Sequence, residues 1–157
     1  EEQGGIYFDT DVEVLRSFDD FIDLPAFVGF ENDTHIATGL GFGAEPHNPA
    51  IQQMLRAYDP LLDGAHGVLG CPKLNTEALQ KLGLRLDGKA QTLPDAAVFP
   101  AEYFNPRNSV TGELTKTENS YSIHWYSASW LPWYKRLRSK ISKPFHRIFG
   151  VTCFHRR

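Results

Sequence analysis

The chain has 157 residues, of which 41% are hydrophobic and 22% are charged, and its formal net charge at pH 7 is −3. These proportions are typical of a globular domain that buries one hydrophobic core. No apolar run approaches the ~18 residues needed to span a bilayer and no signal-peptide pattern opens the chain, so we expect a cytoplasmic protein.

The first predicted element is a short buried strand at Ile6, Tyr7 and Phe8. Asp9 and Asp11 come directly after it, two residues apart. Because side chains alternate along a strand, both carboxylates would point the same way and reach one hard cation, which could hold a diphosphate. This position matches the crevice into which a parallel sheet opens. A bare D-x-D triplet is also compatible with two solvated turn residues.

The next predicted elements are extended. An apolar run predicts a strand at residues 26–30, and residues 36–44 form a second extended stretch that is rich in glycine. Glycines in such a stretch leave room for close approach of a ligand to the backbone.

Two helices follow in the sequence. Asn48 is a good N-cap and Pro49 suits the first helical position, so a helix is predicted from residue 49. The second helix is predicted at 75–82, with Asn75 or Thr76 as its N-cap.

Two weaker signals close this part of the chain. The Asp-Gly pair at 87–88 indicates a hairpin, and residues 98–99 form a brief strand before a proline. Strands mixed with helices favour the α/β class.

A second group of polar residues surrounds His124. Ser127, Ser129 and Trp130 follow it in the pattern H-x-x-S-x-S-W. An imidazole can complete the coordination of a Mn²⁺ ion that carboxylates already hold, because this metal accepts mixed nitrogen and oxygen ligands. Trp130 could close over a nucleotide as a lid, or it could belong to the core. A structural role is the alternative for His124.

Charge divides the chain into two parts. Residues 1–134 contain all 19 acidic side chains and 8 of the 16 Lys and Arg, which gives a net charge of −11, whereas the tail from residue 135 carries +8. An acidic body would repel a phosphate backbone, so nucleic acid is not an expected partner.

The basic tail also carries an apolar pattern. Trp133, Leu137 and Ile141 follow one another at four-residue intervals, so a helix here would have one apolar face among basic residues. This pattern suits the surface of an anionic membrane. The alternative is a helix that packs its apolar face on the domain, and Pro144 is expected to limit how far any helix continues.

Six segments of the chain carry a resemblance to a known family. They are residues 4–12 (GGIYFDTDV), 30–33 (FEND), 36–44 (IATGLGFGA), 70–76 (GCPKLNT), 100–106 (PAEYFNP) and 117–130 (TENSYSIHWYSASW). In order and rough spacing, these segments resemble the nucleotide-sugar glycosyltransferases of family 32, which include bacterial capsular-polysaccharide transferases and yeast mannosyltransferases.

The resemblance implies an α/β fold of the GT-A type, a mixed sheet flanked by helices. It covers about residues 4–131, so residues 1–131 would be the C-terminal portion of a catalytic domain and 132–157 a basic amphipathic tail. Family members carry a further segment before the D-x-D strand. The resemblance therefore implies that the N-terminal part of the fold is absent here and that these residues alone have weak activity or none.

The family's reaction would be the retaining transfer of a sugar from a UDP- or GDP-sugar to a saccharide or lipid-linked saccharide, in capsular or cell-surface polysaccharide synthesis at the inner face of the membrane. Asp9 and Asp11 would be the catalytic ligands of Mn²⁺ or Mg²⁺, with His124 as the third ligand. The residues expected to contact donor or acceptor are Gly5, Tyr7, Glu31, Asn32, Thr38, Gly39, Asn75, Thr76, Ser129 and Trp130. A solvated turn explains Asn32 equally well, and Asn75 and Thr76 could merely cap a helix.

A binding module is the alternative to an enzyme. Asp9, Asp11 and Glu13 could be structural ligands of a Ca²⁺ ion in a non-catalytic glycan-binding module. Such a module would take Ca²⁺ and glycan without nucleotide, whereas a transferase would need Mn²⁺ or Mg²⁺ together with nucleotide. A glycosidase is less attractive, because no pair of opposed carboxylates can be assigned.

Overall fold

The computed structural model describes residues 1–64, 70–127 and 131–150. The strands are β1 (Gly5–Tyr7), β2 (Val12–Val14), β3 (Ala26–Asn32), β4 (His35–Ile36), β5 (Phe42–Ala44), β6 (Gln91–Leu93), β7 (Ala96–Phe99) and β8 (Ser122–His124). The helices are α1 (Pro49–Arg56), α2 (Cys71–Gln80), α3 (Ala101–Phe104) and α4 (Trp133–Phe149).

The described residues form a mixed α/β fold. Five strands of the main sheet follow the order β1-β5-β3-β7-β6, and β4 pairs with β3. Only β3 and β7 are parallel, with Phe27 opposite Ala97 and Gly29 opposite Phe99, and the other pairs are antiparallel. A separate two-stranded sheet joins β2 to β8. The predicted α/β class and mixed sheet are therefore confirmed.

The main sheet divides the hydrophobic core into two clusters. Ala26, Val28 and Phe30 alternate along β3 and pack with buried residues of α1 and α2. Phe27 lies on the opposite face of the same strand. That face carries an aromatic cluster, whose buried members are Phe18, Phe21, Phe27, Ala37, Leu40, Phe104 and Tyr121.

The predicted start of α1 is confirmed. The Asn48 side chain accepts hydrogen bonds from the amides of Ala50 and Ile51, at 3.0 and 3.2 Å. Its Nδ2 donates to the carbonyl oxygens of Pro25 and Asp95. One buried side chain thus caps the helix and ties it to two loops.

Three local predictions were wrong. β1 is not buried: it is an edge strand in which Ile6 is 40% and Tyr7 53% exposed. The residues directly before the Asp-Gly pair at 87–88 do not form a strand, and the hairpin is formed by β6 and β7 instead. Gln91 explains this, because its side chain bonds to the backbone of Arg85 in the place of a strand partner. The second helix begins at Cys71, four residues before its predicted start.

Helix α4 also differs from expectation. It continues through Pro144 to Phe149. Pro144 is exposed, and a proline inside a helix removes one hydrogen bond, the one to the carbonyl group four residues earlier. Among the described residues, no helix combines the length and apolar character that crossing a membrane requires.

Candidate metal centre

A turn and the small sheet bring the two aspartates to His124. After β1 the chain leaves the main sheet, and the Val12 amide donates to the Asp9 carbonyl oxygen at 3.1 Å. β2 then pairs with β8, so that Val12 lies opposite His124 and the Trp125 amide donates to the Asp11 carbonyl oxygen at 3.0 Å. The carboxylates therefore converge through a turn, and not through alternation along one buried strand as predicted.

The three side chains form a compact cluster, called here the carboxylate–histidine cluster. His124 Nε2 lies 3.1 Å from Asp11 Oδ1 and 3.8 Å from Asp9 Oδ2. One ligand atom from each residue lies within 4.8 Å of the others. The side chain of Asp9 is 42% exposed, that of Asp11 19% and that of His124 13%. The cluster is therefore open to solvent on the Asp9 side and closed behind His124.

Each carboxylate has an inner oxygen, which faces His124 Nε2, and an outer oxygen, which faces away from it. The outer oxygen of each accepts a hydrogen bond. Tyr7 donates its hydroxyl to Asp9 Oδ1 at 2.9 Å, and the Ser127 amide donates to Asp11 Oδ2 at 2.6 Å. The inner oxygens remain directed at His124 Nε2, which is the arrangement found around metal ligands that outer partners orient. Burial raises the pKa of Asp11, but the hydrogen bonds from Ser127 and the charge of His124 outweigh it, so that this pKa lies below its ordinary value. Asp11 is thus ready to bind a cation at neutral pH.

The His124 ring is positioned by Tyr126. The two rings meet edge to face with centroids 4.2 Å apart. Tyr126 donates its hydroxyl to Glu31 Oε1 at 3.1 Å and accepts from Asn105 Nδ2 at 2.7 Å. Burial and the neighbouring Glu31 charge raise the pKa of Tyr126 far above its usual range, so the phenol stays neutral.

The second nitrogen of His124 is unaccounted for. Nδ1 is buried and has no hydrogen-bond partner among the described residues. A buried histidine nitrogen is ordinarily paired, whether the ring has a structural role or binds a metal. The polar contacts that the structure gives this ring are instead those of Nε2 with the two carboxylates.

Asp9 packs directly against Gly39. The Asp9 amide donates to the Gly39 carbonyl oxygen at 3.1 Å. A Cβ atom at position 39 would overlap Asp9 Oδ2. The close approach predicted for Gly39 is therefore made by the Asp9 carboxylate.

Asn75 and Thr76 lie inside α2 and are buried, whereas the sequence placed one of them at a helix N-terminus. Asn75 donates to Thr38 Oγ1 at 3.2 Å and accepts from the Tyr58 hydroxyl at 3.0 Å. The Thr76 hydroxyl donates to the carbonyl oxygen four residues earlier and accepts from a backbone amide of β4. Thr76 therefore joins α2 to β4, and Asn75 fixes Thr38 beside the cluster.

The start of α2 also borders the cluster. Burial raises the pKa of the Cys71 thiol, and the negative charges of Asp9 and Glu31 raise it further. A hydrogen bond with Thr38 acts in the opposite direction. Cys71 therefore remains a protonated thiol at neutral pH and is not an activated nucleophile.

Other predicted contact residues lie elsewhere or cannot be placed. Gly5 is on the exposed edge strand β1 and lines a different cavity. Asn32 accepts two hydrogen bonds from Thr34, so the structure places it in a turn at the end of β3. Ser129 and Trp130 lie outside the described residues.

Three supporting roles were not predicted from the sequence. Tyr126 packs against the His124 ring, the Ser127 backbone amide donates to Asp11, and Asn105 donates to the Tyr126 hydroxyl. Tyr126 and Ser127 lie two and three residues beyond His124, so attention to the neighbours of a candidate ligand could have found them. Asn105 is remote from His124 in the sequence, and only the fold brings it to Tyr126.

A cationic cavity adjoins the cluster. Its volume is about 690 Å³, and it lies between α4 and the segment that follows β8. Trp125, Tyr126 and Ser127 form one wall, and the apolar side chains of Leu131, Trp133 and Leu137 also line the cavity. Four cationic side chains complete the lining: Arg107, Arg136, Lys140 and Lys143. Burial lowers the pKa of Lys143, and repulsion from Arg107 and Lys140 lowers it further. The cavity is thus a site of excess positive charge beside Asp11.

The cluster has the composition of a divalent-cation site. Two carboxylate oxygens and one imidazole nitrogen suit Mn²⁺, which takes mixed ligands, better than Ca²⁺, which takes oxygen ligands. The oriented inner oxygens fit this assignment. The chain matches no protein-family model, no curated protein and no solved structure.

Proposed function

We propose that this chain is part of a metal-dependent, retaining glycosyltransferase of the GT-A type, which moves a sugar from a UDP- or GDP-sugar to a saccharide acceptor. Capsular or cell-surface polysaccharide synthesis is the proposed setting. The observation that carries the proposal is the convergence of Asp9, Asp11 and His124, because these residues also stand in the segments that resemble family 32.

The charge around the cluster supports a phosphate-containing substrate. The carboxylates would hold Mn²⁺ or Mg²⁺, and the cationic cavity begins at Ser127, whose amide already contacts Asp11. A diphosphate placed between the metal ion and the cationic cavity would meet positive charge on both sides. Such an arrangement favours a nucleotide-sugar over a neutral glycan.

A bound divalent cation would offset the charge that develops on the leaving diphosphate. The chain's own residues orient and bind. Tyr7 and Ser127 fix the two carboxylates, and Tyr126 fixes both the His124 ring and Glu31. Glu31 lies at the end of β3 with one carboxylate oxygen bound to Tyr126, so the other is available to a sugar hydroxyl. No carboxylate is assigned as a covalent nucleophile.

The Ca²⁺-stabilised glycan-binding module is less well supported. It would use Glu13 as a third oxygen ligand, but Glu13 Oε2 accepts a hydrogen bond from Trp125 Nε1 at 2.9 Å. His124 stands in the cluster instead. A nitrogen ligand disfavours Ca²⁺ relative to Mn²⁺.

Binding is the first readout to test, because it does not require a complete enzyme. Thermal unfolding of the chain would be followed with Mn²⁺, Mg²⁺ or Ca²⁺, each alone and with UDP, GDP or a neutral oligosaccharide. A ligand at 100 times its dissociation constant adds about 2.7 kcal/mol to the free energy of unfolding. We expect Mn²⁺ and a nucleoside diphosphate to stabilise the protein together more than either does alone.

Two outcomes would contradict the proposal. Stabilisation by Ca²⁺ and oligosaccharide without any nucleotide effect would identify a binding module. Absence of any effect of Mn²⁺ or Mg²⁺ would show that the cluster is not a metal centre.

A further inference from the structure

Helix α4 separates apolar from basic residues around its axis. Successive residues at spacings of three and four lie on one face of a helix. The apolar side chains on that face are Trp133, Leu137, Ile141, Phe145 and Ile148. The helix contains six Lys and Arg and no acidic residue, and its 17 residues span about 25 Å.

The contacts between α4 and the loop at residues 109–112 come from its polar face. Arg147 Nη2 donates to the Thr111 carbonyl oxygen at 3.2 Å, and a Cβ atom at Gly112 would lie 3.2 Å from Lys143 Cδ. Lys135 and Arg138 border a second cavity, with residues of the same loop on its far side. A helix that served only to cover the domain would face the other way.

Most of the apolar face is consequently turned to solvent, and Trp133 and Leu137 at its start also border the cationic cavity. Leu137 is 49% exposed, Ile141 56%, Ile148 72% and Trp133 70%. These residues form one continuous stripe, whereas a soluble protein normally exposes large apolar side chains singly. The stripe therefore needs a partner that accepts apolar side chains.

The charges favour a lipid surface as that partner. Arg138 and Lys140 lie on the two margins of the apolar stripe, where long cationic side chains can reach anionic headgroups while the stripe enters the acyl boundary. The net charge of residues 1–134 is −11, so an anionic surface would repel the body and attract α4. This asymmetry would orient the protein with α4 toward the lipid.

We propose that α4 lies in the plane of an anionic membrane surface, with the Trp133–Ile148 stripe in contact with lipid and the flanking cations among the headgroups. This mode of binding needs no helix that crosses the bilayer. It does not depend on the proposed transferase activity, because it rests on the exposure, packing and charge of α4 and on the net charge of the body, and not on the carboxylate–histidine cluster.

The test is flotation of the full chain with vesicles of phosphatidylcholine alone or with an anionic phosphatidylglycerol fraction. We expect binding to the anionic vesicles only, and weaker binding as salt increases, since salt screens headgroup attraction. The double variant Ile141→Gln/Ile148→Gln should bind at least tenfold more weakly. Its matched control is Leu62→Gln, which changes a residue that is 82% exposed on the body and should bind like the parent.

The charge contribution has its own pair of variants. Arg138→Gln, at the margin of the stripe, should lose several-fold in affinity, whereas Lys81→Gln, the same change in net charge on the exposed body, should lose little. Circular dichroism and thermal unfolding would show that each variant is folded.

Three results would overturn the proposal. The first is equal binding of the parent and the Ile141→Gln/Ile148→Gln variant. The second is equal binding to neutral and anionic vesicles. The third is a parent chain that fails to bind lipid and forms a dimer in sedimentation velocity, which this variant abolishes. The last result would make the stripe an interface between two copies of the chain.

Discussion

The carboxylate–histidine cluster and helix α4 lie on opposite sides of the cationic cavity, but they are built in different ways. The cluster joins Asp9 and Asp11 to His124 through two three-residue strands, β2 and β8. Helix α4 is one continuous segment whose two faces follow directly from its own sequence. The first feature depends on the whole fold, and the second depends mainly on local periodicity.

This difference predicts how each region responds to change. Metal ligands must remain close to their productive geometry, so a small displacement in the cluster should have a large effect. An amphipathic helix binds through summed area and charge, so single substitutions there should have graded effects. Substitutions in one region should also leave the function of the other unchanged.

The largest effect is expected for Asp11→Asn. A neutral amide binds a hard cation less well than a carboxylate, and outer partners alone are worth ~10 to 100-fold in metal affinity. We therefore expect Mn²⁺ affinity to fall by more than ~100-fold, measured from the electron paramagnetic resonance signal of free Mn²⁺. Asp23→Asn, an exposed carboxylate outside the cluster, is the matched control. Vesicle binding should not change, and unaltered Mn²⁺ affinity in Asp11→Asn would refute the metal assignment.

Gly39→Ala should come next. The added methyl group would overlap Asp9 Oδ2, and the flexible carboxylate would move aside while the fold persists. We expect Mn²⁺ affinity to fall by ~10 to 100-fold, as for loss of a residue that orients a ligand. Gly70→Ala is the control, because its new Cβ would meet Pro72 Cδ at an ordinary 3.6 Å. A loss of affinity equal in both variants would mean that Asp9 is not the affected group.

The next prediction tests the local character of α4. Pro144 removes one helical hydrogen bond, and proline is about 3 kcal/mol less favourable than alanine inside a helix. Pro144→Ala should slow amide hydrogen exchange in residues 145–149 by roughly tenfold. The expected effect is smaller than the full propensity difference, because residue 144 lies near the end of the helix, where a substitution stabilises the helix less than it does in the middle. Mn²⁺ affinity should stay the same. A change in Mn²⁺ affinity would show that the two regions are coupled.

The smallest effect concerns Cys71, which reports on charge at the cluster. Its pKa lies above the ordinary 9.0 because of burial and the charges of Asp9 and Glu31, so alkylation by iodoacetamide at pH 7 should be slow. A cation bound at Asp9 would neutralise part of this charge, lower the thiol pKa and raise the alkylation rate severalfold. The measurement needs a Cys153→Ser background, which removes the one other thiol of the chain. A rate that is independent of Mn²⁺, at concentrations shown to bind, would place the ion away from Asp9.

Features encoded by neighbouring residues were predicted correctly. The apolar run at 26–30 forms β3, and Asn48 with Pro49 starts α1. Each depends on the preferences of a few adjacent residues. The burial of β1 was predicted wrongly, because it depends on strand partners that are distant in the sequence and β1 lies at the edge of the sheet. The start of α2 was also predicted wrongly, although Pro72 in its first turn is a local signal for a helix start.

The sequence by itself determined the chemistry of this protein's two main features: a pair of acidic residues two positions apart, and a basic helix with one apolar face. The tertiary structure alone decided that His124 joins those acids, that Gly39 and Ser127 support them, and that α4 turns most of its apolar face outward. The physical reason is that residue type and helical periodicity are properties of a short segment. Proximity and exposure arise from the pairing of segments such as β2 and β8, which no single segment encodes.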